Sequence, residues 1–177
     1  MRRILIHGVT GSGKTTLARA VGERTGNPWH SADDELGWLP GWIERPVEEQ
    51  RAIAAEIVAG DAWVLDTAYG RWRDVVVPRA QLIVALDYPR WVSLRRLLRR
   101  TVRRVVTREA VCNGNRESLR LAFSQESIIR WHFQSYDKKR RQIDDWERDP
   151  DAPPVVRLRS PAETEAWLAT LGPPAGP

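Results

Sequence analysis

The stretch Gly8-Val9-Thr10-Gly11-Ser12-Gly13-Lys14-Thr15 has the pattern G-x-x-x-x-G-K-[ST], and its surroundings decide how it reads. Before it, Arg3-Ile4-Leu5-Ile6-His7 is an apolar run of strand length. After it, Thr16-Leu17-Ala18-Arg19-Ala20-Val21 puts Leu17, Ala20 and Val21 on one helical face. In a strand, turn and helix of this kind the glycines admit positive φ and turn successive N–H groups inward, while the helix presents its positive end to the same anion. The pattern implies a bound nucleoside triphosphate with Mg²⁺. Gly8, Gly11, Ser12, Gly13, Lys14, Thr15 and Thr16 would cradle the phosphates, Lys14 would bridge the β and γ phosphates, and the Thr15 hydroxyl would ligate the metal.

Outward from the loop, short apolar runs alternate with helical stretches, the pattern of a parallel sheet with helices on both faces. Strands are expected at residues 3–7, 28–30, 62–65, 82–86 and 155–159, and a helix at 47–59 with Ile53, Ile57 and Val58 on one face. Ser160-Pro161-Ala162-Glu163 combines a capping Ser, Pro at the first helical position and Glu at the third, which predicts a last helix through Leu171. The expectation is a three-layer α/β fold, a five-stranded parallel sheet with a small helical, arginine-rich lid over about residues 101–120. Residues 1–171 read as a single domain and 172–177 as a loose tail.

A chain of 177 residues, 42% of them hydrophobic, can bury a full core. No apolar run nears the roughly 20 residues of a membrane span, and the loop follows the start too closely for a signal peptide, so a cytoplasmic protein is expected. Cys112 is the one cysteine, which excludes an internal disulfide, and it shares no metal-ligand spacing with His7, His30 or His132. The net charge of +5 is unevenly spread: residues 90–141 hold 15 Lys or Arg against four acids, a net +11, leaving −6 elsewhere. Such a region is a solvated basic helix face, a nucleic-acid surface, or a set of arginines gathered around phosphates.

Open parallel sheets bind ligands at the carboxyl edge of their strands. There the sequence puts Asp33, Asp34, Asp66, Asp87 and the loop at Ser160. An acid in that place holds Mg²⁺ through its waters or accepts a proton from an attacking hydroxyl; it equally caps a helix or closes a turn, and for Asp33, Asp34 and Asp87 both readings stand. Leu36-Gly37-Trp38-Leu39-Pro40-Gly41-Trp42 carries two of the nine tryptophans, either as a flat wall for an acceptor ring or as packing of the loop itself. Farther on, arginines at 96, 100, 104 and 108 run beside those at 95, 99 and 103, with Trp91, Leu94, Leu98, Val102 and Val105 opposite. The expectation is a helix that buries its apolar side and presents cations, which phosphoryl transfer uses to stabilise spread negative charge. A turn at Val111-Cys112-Asn113-Gly114-Asn115 follows, and helical periodicity resumes from about Ser118.

These features resemble the P-loop nucleoside and nucleotide kinases, adenylate kinase among them. The chain is more closely similar to the small bacterial adenylate-kinase-related proteins often labelled topology modulation proteins. That similarity spans most of residues 1–145. It rests on residues 8–16, on residues 34–42 with Pro40-Gly41-Trp42, on Trp63-Val64-Leu65-Asp66 with Tyr69-Gly70, and on Cys112-Asn113-Gly114-Asn115-Arg116-Glu117. It implies a P-loop NTPase fold and ATP-dependent transfer of the γ-phosphoryl group to a small acceptor, a nucleotide or nucleoside being favoured. It further implies that Arg96 and Arg100, four apart after Asp87-Tyr88-Pro89, contact ATP, with Arg120 and Arg130 as further candidates, and that Arg159, Ser160 and Pro161 pack on adenine. Lys14, Arg96, Arg100, Asp34 and Asp66 form the expected catalytic set. Two departures bear on the acceptor. Asp66-Thr67-Ala68-Tyr69-Gly70-Arg71 replaces the Asp-Gly-Phe-Pro-Arg of adenylate kinases, and Ser31-Ala32-Asp33-Asp34 replaces their AMP-recognition residues. AMP therefore does not follow as acceptor, and Asp34 is similar to the acid that shikimate and gluconate kinases use near an acceptor hydroxyl. The competing reading is a nucleotide-regulated nucleic-acid-binding protein using residues 90–141; arginines alternating with a core-facing stripe lean against it. No membrane partner is expected.

Overall fold

A computed structural model of the chain describes residues 1–116 and 128–172. Strands β1 (Arg3–Gly8), β2 (Trp29–His30), β5 (Trp63–Leu65), β6 (Leu82–Leu86) and β9 (Val155–Leu158) form one parallel sheet in the order β2-β5-β1-β6-β9. Outside it stand two antiparallel hairpins, β3 (Trp38–Leu39) with β4 (Ile43–Glu44), and β7 (Ala110–Val111) with β8 (Asn115–Arg116). The helices are α1 (Lys14–Thr25), α2 (Val47–Ala59), α3 (Arg73–Val76), α4 (Arg90–Thr107), α5 (Ile128–Arg148) and α6 (Pro161–Thr170). The five expected sheet strands are all present, and α2 spans residues 47–59 as its spacing predicts.

Every residue of β6 and all but the first of β1 are buried, as strands covered on both faces require. Alternate residues feed two cores. Ile4, Ile6, Val64 and Val84 meet Leu17, Ala18 and Val21 of α1, with Trp167 and Leu168 of α6 alongside. Leu5, Leu65 and Ile83 face the other way, against Ala54 and Val58 of α2, Trp72, Val76 of α3 and Trp146 of α5. These are the three layers expected of the fold. Because β1 is central and the chain leaves it first toward β2 and β5, then toward β6 and β9, the crossovers diverge at its carboxyl end and open a crevice there.

The arginine-rich helix forms but is turned from its expected orientation. Its buried residues are Ser93, Leu97 and Thr101, whereas Trp91, Leu98 and Val102 are 66%, 40% and 57% exposed. The cause lies in the phosphate loop. A side chain at Gly11 would come within 2.4 Å of the Ser93 carbonyl oxygen and 2.9 Å of Leu97 Cβ, so the helix packs its Ser93–Leu97 edge directly on the loop, an approach that the glycine permits. Of the stretch expected to form a lid, residues 101–116 are the end of α4 and the β7–β8 hairpin; residues 117–120, Arg120 among them, lie outside the described residues, as do residues 173–177 of the tail. At α6 the Ser160 hydroxyl accepts from the Glu163 N–H at 3.1 Å, and the Glu163 carboxylate accepts from the Arg159 N–H at 2.8 Å, the reciprocal cap that the sequence predicts. No described helix is long and apolar enough to cross a membrane.

Candidate active site

The loop between β1 and α1 is held open by backbone conformation. Gly11 (φ +83°) and Gly13 (φ +100°) lie in the left-handed region, and Gly13 precedes the first turn of α1 with no side chain capping that turn's N–H groups. The Ser12 hydroxyl oxygen is buried without a hydrogen-bond partner among the described residues. Free amides at a helix start, an orphaned hydroxyl and positive φ at two glycines together describe a cradle for an anion.

Two cations border it. The Lys14 ammonium donates to the Val9 carbonyl at 3.2 Å, folding back over the loop. Burial lowers its pKa, Asp66 and Asp33 act in the opposite sense, and Arg100 adds to the lowering. Arg96 donates from Nη1 to the Ser12 carbonyl at 3.1 Å and lies over the Tyr88 ring. Of the two arginines tied by sequence to ATP, Arg96 thus reaches the loop from α4, and Arg100 lies one turn farther along the same helix.

Opposite stand the acids. Thr15 donates to Asp66 Oδ2 at 2.6 Å, and Asp66 Oδ1 accepts from the Ala32 N–H at 2.9 Å, which joins the start of α1 to the ends of β5 and β2. Burial pushes the Asp66 carboxyl up. Ser31 opens a π-helical turn, Ala32–Gly37, and donates to Asp34 Oδ2 at 2.6 Å. The neighbouring Asp33 instead accepts from the Tyr69 hydroxyl at 2.5 Å. Burial, then the charge of Asp33, holds the Tyr69 phenol well above its ordinary pKa. Between the two acids it is Asp33 whose charge acts on both Lys14 and Asp66, while Asp34 is largely engaged with its own turn.

The β7–β8 hairpin closes this side. Asn113 donates to the Asp34 and Trp38 carbonyls at 2.7 and 2.6 Å, and Asn115 accepts from the Trp42 N–H at 2.8 Å and donates to the Leu39 carbonyl at 3.0 Å. The Trp38 and Trp42 rings meet edge to face, 5.6 Å between centroids. Cys112 sits among these groups, its thiol pushed up to about 12 by burial and then by Asp33 and Asp34. Sequence reading found the tryptophans and Asp34 but not Tyr69 as the partner of Asp33, nor the two asparagines as ties from one hairpin to the backbone of the other. The Tyr69-Gly70 and Asn113-Gly114-Asn115 matches to the related proteins were the available signal.

The remaining expected residues lie apart. Thr16 is exposed on α1, and Ser160 and Pro161 start α6 after β9, two strands from β1. The link to that end is Tyr88, whose hydroxyl is 2.6 Å from that of Thr164. Asp87 is buried and paired with Arg157 at 2.7 Å and Arg140 at 2.9 Å, a bracing role rather than an open acid. Arg130 lies exposed on α5.

The architecture is that of solved P-loop kinases. A shikimate kinase from Acinetobacter baumannii, in complex with shikimate, superposes with a TM-score of 0.60 at 19% identity, over 97% of this chain and 91% of that one. A gluconokinase from Sinorhizobium meliloti 1021 matches at a TM-score of 0.52 and 19% identity, over 97% and 93%. A sugar kinase from Janibacter sp. HTCC2649, unliganded, matches at 0.52 and 22% identity, over 96% and 93%. Likeness at these identities is one of fold. No protein-family model matches the chain, and no curated protein matches it.

Proposed function

We propose that this protein is an ATP-dependent phosphotransferase that moves the γ-phosphoryl group onto a small acceptor seated between Asp33, Asp34, Tyr69 and the hairpin bearing Trp38 and Trp42. The observation that carries this reading is the convergence at the end of β1: an anion cradle bordered by Lys14 and Arg96, with Arg100 one turn farther along α4, stands beside the strand-end acids Asp66, bonded to Thr15 at the start of α1, and Asp33, whose charge acts on Lys14. Kinase folds among the structural neighbours support it. Lys14, Arg96 and Arg100 neutralise charge on the transferring group, since phosphoryl transfer depends on positioning and electrostatics more than on covalent help. Asp33 or Asp34 orients the acceptor hydroxyl, and Ser160 and Pro161 take the base.

Thr15 and Asp66 fit Mg²⁺. They offer two hard oxygens 2.6 Å apart at the start of α1, and Mg²⁺ is ordinarily held by one or two protein oxygens with substrate phosphates and water completing its shell. Bound with ATP, the ion supplies charge neutralisation across the β and γ phosphates.

Sequence resemblance favours a nucleotide or nucleoside acceptor; the structural neighbours, named for shikimate, gluconate and sugars, favour a hydroxylated metabolite. The test is ADP release from Mg-ATP against a panel of nucleoside monophosphates, nucleosides and hydroxylated metabolites, beside Lys14→Ala. We expect release that depends on one acceptor class and falls about 100-fold or more in the variant. Tight ATP binding with no acceptor-dependent release across the panel would sink the reading.

A further inference from the structure

The turn Cys112-Asn113-Gly114-Asn115 has no part in the roles assigned above. Its backbone is left-handed at three consecutive residues, Cys112 (φ +43°), Asn113 (φ +64°) and Gly114 (φ +85°), a conformation that Asn and Gly adopt readily and Cys does not. Trp42, in the turn between β3 and β4, is left-handed as well (φ +57°), which is rare for so bulky a side chain. Strained backbone persists where surrounding contacts over-determine it, and here those contacts include the side chains of Asn113 and Asn115.

Asn113 donates from its side-chain nitrogen to the carbonyls of Asp34 and Trp38, at 2.7 and 2.6 Å. Asn115 is buried and bonded at both ends of its amide: the oxygen accepts from the Trp42 N–H at 2.8 Å, and the nitrogen donates to the carbonyls of Leu39 at 3.0 Å and Cys112 at 2.5 Å. One hairpin thus holds the backbone of the other together with that of Asp34. The same hairpin is fixed to α4, because the Arg108 and Glu109 N–H groups both donate to the Arg104 carbonyl and Arg103 donates to the Glu109 carboxylate at 3.0 Å. At its start α4 packs Ser93 and Leu97 on Gly11 and sends Arg96 to the Ser12 carbonyl at 3.1 Å. A continuous set of contacts therefore joins the phosphate loop to the Asp34 backbone.

We propose that Asn113 and Asn115 are positioning residues that carry occupancy of the phosphate loop to the acceptor side, so that a nucleotide on the loop fixes the β3–β4 hairpin and the Asp34 backbone in place. This rests on the phosphotransferase reading and adds two residues that act through the backbone they hold. The lever is Arg96. In the free chain its guanidinium is held by a neutral carbonyl, and a triphosphate offers charged oxygens instead, which bond roughly twice as strongly. α4 is the element that both sides bias: the loop grips its first turns, and the two asparagines are where the hairpin at its far end grips the acceptor side.

The test is amide hydrogen exchange of the full chain, read by mass spectrometry with and without Mg²⁺ and the non-hydrolysable ATP analogue AMP-PNP. AMP-PNP should slow exchange in residues 8–16 and, by about fivefold or more, in residues 38–44, where the Trp42 N–H reports directly on Asn115. Two variants separate coupling from mere bracing. Asn113→Gly, at an exposed position, keeps the left-handed backbone; Asn115→Asp still accepts from Trp42 but cannot donate to Leu39 or Cys112. In both, the loop should be protected as in the wild type, while the protection that AMP-PNP adds to residues 38–44 falls below about twofold. Exchange in that segment that is faster in the variants, yet slowed by AMP-PNP as much as in the wild type, would make the asparagines braces alone and overturn the proposal. Loss of loop protection in both variants would overturn it equally, by assigning them to the nucleotide site itself. A wild type with a protected loop and unchanged residues 38–44 removes the coupling alone, whereas a wild type whose loop is unprotected removes the phosphotransferase reading and the coupling with it.

Discussion

Ser12 shows at the scale of one residue how binding and stability part company. Its hydroxyl is buried with no partner among the described residues, a cost of about 1–3 kcal/mol for a neutral polar group. Ser12→Ala should therefore leave the free protein as stable or up to about 2 kcal/mol more stable, read as an unchanged or higher urea midpoint, while weakening ATP binding in a calorimetric titration. A less stable variant with unaltered ATP affinity would contradict this account of the loop. Asp33 and Asp34 make the complementary point about legibility. Adjacent acids are equivalent in a sequence, and only the turn after β2 separates them, sending one to Ser31 and the other to Tyr69. Tyr69 itself was legible only as a matching residue, because a tyrosine one turn beyond a strand gives no sign that its hydroxyl will meet an acid from another strand.

Helix α4 carries the lesson at the scale of elements. Its apolar and cationic residues are patterned as an amphipathic helix, and the natural reading buries the apolar side. The structure buries Ser93, Leu97 and Thr101 instead, because this face packs on the phosphate loop, where only a glycine at position 11 leaves room for Leu97 and the Ser93 carbonyl. That contact delivers Arg96 to the Ser12 carbonyl. Gly11→Ala should break it, since its Cβ would sit 2.4 Å from a backbone oxygen at a φ of +83°. We expect a loss of at least about 2 kcal/mol in urea unfolding, with the slope unchanged, and weaker ATP binding as Arg96 is displaced. The β7–β8 hairpin is the second coupling element. Through Asn113 and Asn115 it ties the end of the arginine helix to the backbone of Asp34, Trp38, Leu39 and Trp42, so the two substrate sides share one strap. The basic stretch read as a candidate nucleic-acid surface is partly consumed by such contacts, with Arg90 on Asp137 and Arg103 on Glu109.

Across the whole molecule, the buried His7 ties stability to pH. Burial, then the charge of Lys139, holds its pKa well below the ordinary 6.5. The unfolded chain takes up a proton near 6.5 that the folded chain refuses, so this stabilisation is complete above pH 6.5 and is lost as pH falls below it, at about 1.4 kcal/mol per pH unit. His132 is shifted in the same direction by burial and then Arg90. Tm should fall between pH 6.5 and 5, and His7→Gln should flatten part of that fall; an equal slope in the variant would remove His7 as the cause. By itself the sequence determined the loop, the five strands, the order of helices and the acids at the strand ends. Those features are local, written in glycine spacing, apolar runs and capping residues that act over a few neighbours. Only the tertiary structure decided which face of α4 is buried, which of two adjacent acids meets Ser31 and which meets Tyr69, and that Asp87 braces Arg157. Each of those joins residues far apart in the chain, and their pairing depends on how closely backbones approach and how much water is excluded, quantities that exist only once the layers have packed.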